Sequence, residues 1–93
     1  MDAELLMRER VPIDENSFAE LVIWRVPQSL VGSPHNFKYR LAFVIDGVCV
    51  LRYDNETGKG DHRHVGTAEA DYTFIDINQL LADFWADVDQ WEG

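Results

Sequence analysis

The run FKYRLAFVIDGVCVLRYD, residues 37 to 54, decides the architecture. Two stretches rich in β-branched and aromatic residues flank Asp46-Gly47, a dipeptide suited to a two-residue type I′ hairpin turn. A regular hairpin about that turn pairs Ile45 with Val48, Phe43 with Val50, Leu41 with Arg52 and Tyr39 with Asp54, and these share one side with Phe37. The other side then carries Lys38, Arg40, Ala42, Val44, Cys49, Leu51 and Tyr53. The first side is expected to meet the core, with Arg52 and Asp54 at its end needing each other if buried. The second is apolar near the turn and cationic at the open end, where Lys38, Arg40 and Tyr53 gather.

Upstream, residues 3 to 11 and 18 to 26 read as two strands separated by the turn-rich PIDENS segment, a first hairpin. Pro27 closes the second, and residues 29 to 36 read as loop. Downstream the period changes. Ile77, Leu80, Leu81, Phe84, Trp85, Val88 and Trp91 recur at helical spacing as one apolar stripe. Asp76 with Gln79 three residues later resembles a capping pair, and Gly93 follows the last periodic residue. Between His62 and Phe74 the pattern allows one or two further strands. The expected fold is α+β: an antiparallel β-sheet of about five strands, a meander of hairpins, with a C-terminal α-helix packed on one face. The whole chain, 1–93, is expected to be a single domain.

Ninety-three residues, 46% of them apolar, suffice for one core without metal or disulfide staples. The lone Cys49 lies in an apolar run and reads as packing, so there is no disulfide framework and a reducing cytoplasm is the expected compartment. No run approaches the roughly 18 apolar residues of a membrane span, and the start MDAE is unlike a signal peptide. The net charge of −9 is unevenly spread: −3 over residues 1–34, +1 over 35–66 and −7 over 67–93. All three histidines fall in the middle block. The acidic end is either solvated surface or a face that meets a basic partner.

The chemistry-bearing stretch runs from Arg52 to His64. Gly58 and Gly60 bracket Lys59 in a loop that can take positive φ and bring backbone N–H groups to an anion. His62 and His64 follow two apart, so on a strand they share a face at about 6.6 to 6.8 Å along the chain, while Arg63 points the other way unless the strand is bulged. Such residues suit acid–base cleavage of RNA, with histidines moving protons and Arg or Lys neutralising a pentavalent phosphate. The same two histidines could chelate zinc if His35 or Asp54 converged on them, or stand as ordinary exposed residues. Arg52 and Asp54 could be a plain ion pair. The Gly-Lys-Gly loop lacks Walker spacing, no Gly-x-Ser-x-Gly elbow occurs, and Trp24, Trp85 and Trp91 read as core more than as base-stacking platforms.

Lys38-Tyr39-Arg40-Leu41-Ala42, Leu51-Arg52-Tyr53-Asp54-Asn55, Gly58-Lys59-Gly60-Asp61-His62-Arg63-His64 and Leu81-Ala82-Asp83-Phe84-Trp85 together resemble the TumE-type toxin family of bacterial and archaeal toxin–antitoxin modules. The Gly-Ser-Pro-His stretch at 32 to 35 also fits. The resemblance implies a small cytoplasmic toxin encoded beside a cognate helix-turn-helix antitoxin, and an RNA-cleaving activity follows by analogy with toxins of such modules. The leading expectation is a metal-independent endoribonuclease without cofactor: His62, His64, Arg52 and Lys59 catalytic, with Lys38, Arg40, Tyr53 and Arg63 holding the RNA substrate, and Lys38, Arg40, Tyr53, Lys59 and His62 bordering one cleft. A homodimer is a candidate assembly. The rival readings are a non-catalytic protein-interaction module, which the acidic balance favours, and a metal-dependent nuclease or phosphotransferase using the His-x-His pair.

Overall fold

The structure is a computed structural model describing residues 3–29, 34–56 and 58–91. Among the described residues, six strands and one helix follow in the order β1 (Glu4–Asp14), β2 (Ser17–Arg25), β3 (Phe37–Ile45), β4 (Val48–Glu56), β5 (Gly60–Val65), β6 (Ala68–Asp71) and α1 (Ile77–Gln90). The strands form one antiparallel sheet in chain order, β1-β2-β3-β4-β5-β6. The count is six where about five were expected, because the segment after His62 makes both β5 and β6. The first two strands are longer than expected at their shared end. Asp14 pairs with Ser17, which leaves only a tight turn where the PIDENS segment suggested a loop, and Pro12 is tolerated because β1 is an edge.

Asp46 and Gly47 both take positive φ, 51° and 78°, the type I′ geometry that Asp-Gly favours. Beyond that turn the register departs from the regular hairpin. Ile45 pairs with Val48 and Val44 with Cys49, but Phe43 pairs with Leu51, Leu41 with Tyr53 and Arg40 with Asp54. Val50 is thus an extra residue on β4, a β-bulge, and its carbonyl accepts a hydrogen bond from Gly66 N at 2.8 Å. The regular register would have turned Arg52 and Asp54 toward the core, a desolvation cost of several kcal/mol per charge. The bulge turns Leu51, Tyr53 and Asn55 inward instead, at 1%, 2% and 2% exposure. Tyr39, Leu41 and Phe43 remain on the buried side, as expected.

The core lies between this inner face and α1. Ala19, Leu21 and Ile23 of β2, Tyr39, Leu41 and Phe43 of β3, and Leu51 and Tyr53 of β4 pack with Leu80, Phe84 and Val88. Asp76 caps the helix by accepting Gln79 N at 2.7 Å. The pair is only half a capping box, since the Gln79 amide donates to Asp83 Oδ1 at 2.7 Å. Gly93 lies outside the described residues. Phe84 meets Tyr53 edge-on, with ring centroids 5.8 Å apart, and Trp85 at 5.4 Å. Trp85 and Trp91 pack against the core, whereas Trp24 stands half-buried on the outer face of β2. Cys49 is exposed near the turn. No described helix is long and apolar enough to cross a membrane.

Phe84 is fully buried. Replacing it by alanine should destabilise the chain by about 3 to 5 kcal/mol, read from urea denaturation. A loss below about 1 kcal/mol would mean that the helix does not seal the core.

Candidate active site on the outer face

β5 alternates strictly, and the alternation sorts its polar residues onto two sides. His62 and His64 point outward, away from α1. Across the sheet, directly paired residues share a face. One row reads Arg40, Asp54, His62, Asp71 and the next reads Ala42, Arg52, His64, Glu69. Lys38 is on the same side of β3. His62, His64, Arg52, Lys38 and Arg40 therefore gather on one open surface, joined by three carboxylates.

Within it, the Arg52 Nη2 group donates to His64 Nε2 at 3.2 Å. Because guanidinium only donates, that imidazole nitrogen bears the lone pair. Arg52 Nε lies 3.1 Å from Asp54 Oδ2, a contact of charge without a well-directed hydrogen bond. His64 Nε2 is 4.0 Å from Asp54 Oδ1 and 3.9 Å from Glu69 Oε1. His62 Nε2 donates to the Lys59 carbonyl at 2.5 Å. Its Nδ1 faces Glu69 Oε1 at 3.4 Å and Asp71 Oδ1 at 3.7 Å, and it is buried with no hydrogen-bond partner among the described residues. A cavity of 130 Å³ lined by Cys49, Val50, Leu51, Arg52, His64 and Gly66 opens beside the pair. The glycines of the Gly-Lys-Gly loop take positive φ, 86° at Gly58 and 76° at Gly60, which lets Lys59 present its carbonyl to His62. The Lys59 amino group stands outside, 3.7 Å from Glu56.

Tyr53 and Arg63 are not part of this surface. The bulge carries Tyr53 to the inner face, where its hydroxyl donates to Asp87 Oδ2 at 2.5 Å. Arg63 grips the same carboxylate through two bonds of 2.8 and 3.0 Å. They tie α1 to β4 and β5. The single cleft expected to join Lys38, Arg40, Tyr53, Lys59 and His62 is split by the sheet. His35 also lies on the inner side. Its Nδ1 accepts Phe37 N at 3.2 Å, which assigns the proton to Nε2, and Nε2 donates to Asp61 Oδ2 at 2.7 Å. Asp61 Oδ2 also accepts the Tyr39 hydroxyl at 2.6 Å, and the His35 ring stacks on Phe74 at 3.9 Å. So Asp54, and not His35, approaches the histidine pair. Of the Gly-Ser-Pro-His stretch, Gly32 and Ser33 lie outside the described residues. Among the described residues, no group of three or more His, Cys, Asp or Glu is arranged to hold a metal ion.

Sequence reading missed Glu69 and Asp71, whose period-two spacing after a Gly-Thr turn was the available signal. It also missed Asn55, which accepts Tyr39 N at 3.0 Å and donates to the Phe37 carbonyl at 2.7 Å, closing the open end of the hairpin.

A meander of hairpins with one helix on its inner face and a half-buried histidine pair on the other defines a small α+β protein with a candidate acid–base site. Over residues 2–92 the chain matches the toxin TumE family, and it belongs to that family. No curated protein and no solved structure shows significant similarity to it.

The inner face has a pH consequence. Burial, then hydrogen bonds to Asp61, Asp87 and Asp83 respectively, push the hydroxyls of Tyr39, Tyr53 and Tyr72 well above their ordinary value of 10.0. Above that pH the unfolded chain loses protons that the folded one keeps. Stability should therefore be full below about pH 10 and fall as pH rises beyond it, by at most about 1.4 kcal/mol per pH unit for each tyrosine. Tyr72→Phe should make the fall shallower in denaturation curves recorded from about pH 8 to about pH 11. A flat profile would mean that these hydroxyls are free to ionise in the fold.

Proposed function

We propose that this chain is the toxin of a toxin–antitoxin module and acts as a metal-independent endoribonuclease in the cytoplasm. The observation that supports the reading best is the outward row of His62 and His64 with Arg52 between His64 and Asp54. His64 is the base: its Nε2 bears the lone pair that Arg52 donates to, and when Arg52 turns to the phosphate that lone pair takes the proton of a ribose 2′-hydroxyl. The 2′-oxygen attacks phosphorus, the bond to the 5′-oxygen breaks, and His62, which must enter the step protonated on both nitrogens, gives a proton to that leaving oxygen and ends neutral. The products are a 2′,3′-cyclic phosphate and a 5′-hydroxyl. Arg52 and Lys59 offset the charge that builds on the phosphate, while Lys38 and Arg40 hold the strand. Asp54, Glu69 and Asp71 orient the imidazoles. A cognate helix-turn-helix antitoxin is the partner this reading requires.

The non-catalytic reading draws on a different observation. Leu5, Leu6 and Ile13, three of the large hydrophobics exposed among the described residues, all lie on edge strand β1, surface that a partner chain would cover.

Purified chain incubated with RNA, with and without chelator and ribosomes, separates the readings. His62→Gln and His64→Gln should each lower cleavage by about 10² to 10⁴ while leaving the melting temperature nearly unchanged, since neither ring supports the core. Full activity in both variants, or no cleavage by the wild-type chain, would sink the nuclease. Activity lost with chelator and restored by a divalent cation would move the histidines from proton carriers to metal ligands.

A further inference from the structure

The two histidine rows continue to the far edge of the sheet. Arg8 pairs with Val22 and Val22 with Arg40; Arg10 pairs with Glu20 and Glu20 with Ala42. A third row beside them joins Leu5, Trp24 and Lys38. Arg8, Arg10, Lys38, Arg40 and Arg52 thus stand on the outer face, five of the eight Arg and Lys of a chain whose net charge is −9. On β1 to β4 this side holds the acids Glu20, Asp54 and, at the end of β4, Glu56, which stands 3.7 Å from the Lys59 amino group. Glu69 and Asp71 stand beyond the histidines on β6.

Arg8 and Arg10 on β1, and Lys38 and Arg40 on β3, stand two apart on one face, about 6.6 to 6.8 Å along each strand, so like charges repel there in the free chain. Arg8, Lys38 and Arg40 are exposed and in none of the ion pairs among the described residues, and Arg10 lies 3.8 Å over the Phe18 ring. The surface is uncovered by α1 and carries the half-buried Trp24. A polyanion with unpaired rings of its own matches both features.

We propose that the outer face of β1 to β4 binds single-stranded RNA, laid across the strands from Arg8 and Arg10 at the sheet edge toward His62 and His64. The path from β1 to β5 crosses four strand spacings, about 19 Å. Arg8, Arg10, Lys38 and Arg40 contact phosphates, and a base stacks on Trp24. This names the substrate path for the proposed nuclease and rests on that reading for what happens at its end, but binding is measured separately from cleavage.

The test uses the full chain and a fluorescent single-stranded oligonucleotide with 2′-O-methyl riboses, which lacks the attacking hydroxyl. Anisotropy titrations at several salt concentrations should show affinity falling with salt. Arg8→Gln and Arg10→Gln should each weaken binding and lower the slope of log affinity against log salt by about 0.7. Trp24→Ala should weaken binding roughly 10- to 100-fold, and Trp24→Phe should restore most of it. A duplex of the same sequence should bind more weakly. Absence of binding, affinity unchanged in Arg8→Gln and Trp24→Ala, or equal affinity for the duplex would overturn the proposal. Polyglutamate of equal charge binding as tightly would overturn it in favour of an acidic protein partner. A chain that binds this probe but leaves unmodified RNA intact would defeat the nuclease and leave the RNA-binding face standing. Cleavage whose KM does not change in Arg8→Gln and Trp24→Ala would do the reverse.

Discussion

The bulge at Val50 is the constraint on which the rest depends. Without it, the Asp46-Gly47 turn imposes a register that presents Arg52 and Asp54 to the helix and Leu51 and Tyr53 to water. One extra residue exchanges the two sets. The exchange buries about two large side chains, worth roughly 1.5 to 3 kcal/mol each, and leaves a charged pair where solvent can reach it. It also decides the site. Because β5 pairs with β4, the side on which Arg52 and Asp54 emerge is the side on which they meet His62 and His64.

The helix shows why the acidic end of the chain is not simply a free surface for a basic partner. Asp76 caps α1, Asp83 accepts the Tyr72 hydroxyl at 2.6 Å and the Gln79 amide, and Asp87 accepts Tyr53 and Arg63. Burial alone fixes that the apolar stripe faces the sheet. It does not fix rotation or sliding of the helix along that stripe. The paired carboxylates at Asp83 and Asp87, one turn apart, do so by gripping β4, β5 and the segment after β6 at defined points. Arg63 rises in basicity for the same reason, its hydrogen bond to Asp87 outweighing the cost of partial burial. Asp89 remains exposed.

Much of the fold was legible because its signals are local. Asp46-Gly47, the helical stripe and the Asp76 cap act within a few residues. The bulge was not, since it arises from competition between a local turn geometry and the burial of residues five to eight positions away. That one slip accounts for the misplacement of Tyr53 and for the apparent burial of Arg52 and Asp54. Residue type alone puts Trp24 in the core, although Leu21 and Ile23 alternate with it and take the inner side. The candidate site was half legible. The His-x-His spacing sets a shared face, but which acids join it depends on the β4 bulge for Asp54 and on β6 for Glu69 and Asp71, where the period-two spacing after Gly66-Thr67 is a weak signal over only four residues.

The alternation Asp61-His62-Arg63-His64 places two kinds of electrostatics on one strand. Inward, Asp61 and Arg63 meet partners within 3.0 Å, Asp61 buried and both held by rings or carboxylates that leave them little freedom. Outward, His62 Nδ1 has carboxylates only at 3.4 and 3.7 Å, and His64 shares Arg52 with Asp54. Satisfied groups give stability and resist change, whereas loosely satisfied ones can accept a phosphate or pass a proton with little of the fold to undo. Since the two sets are separated by the thickness of a sheet, a substitution outward leaves the helix anchors untouched. A sheet with one face sealed and the other left polar thus lets the same six residues of β5 hold the helix and present the candidate site.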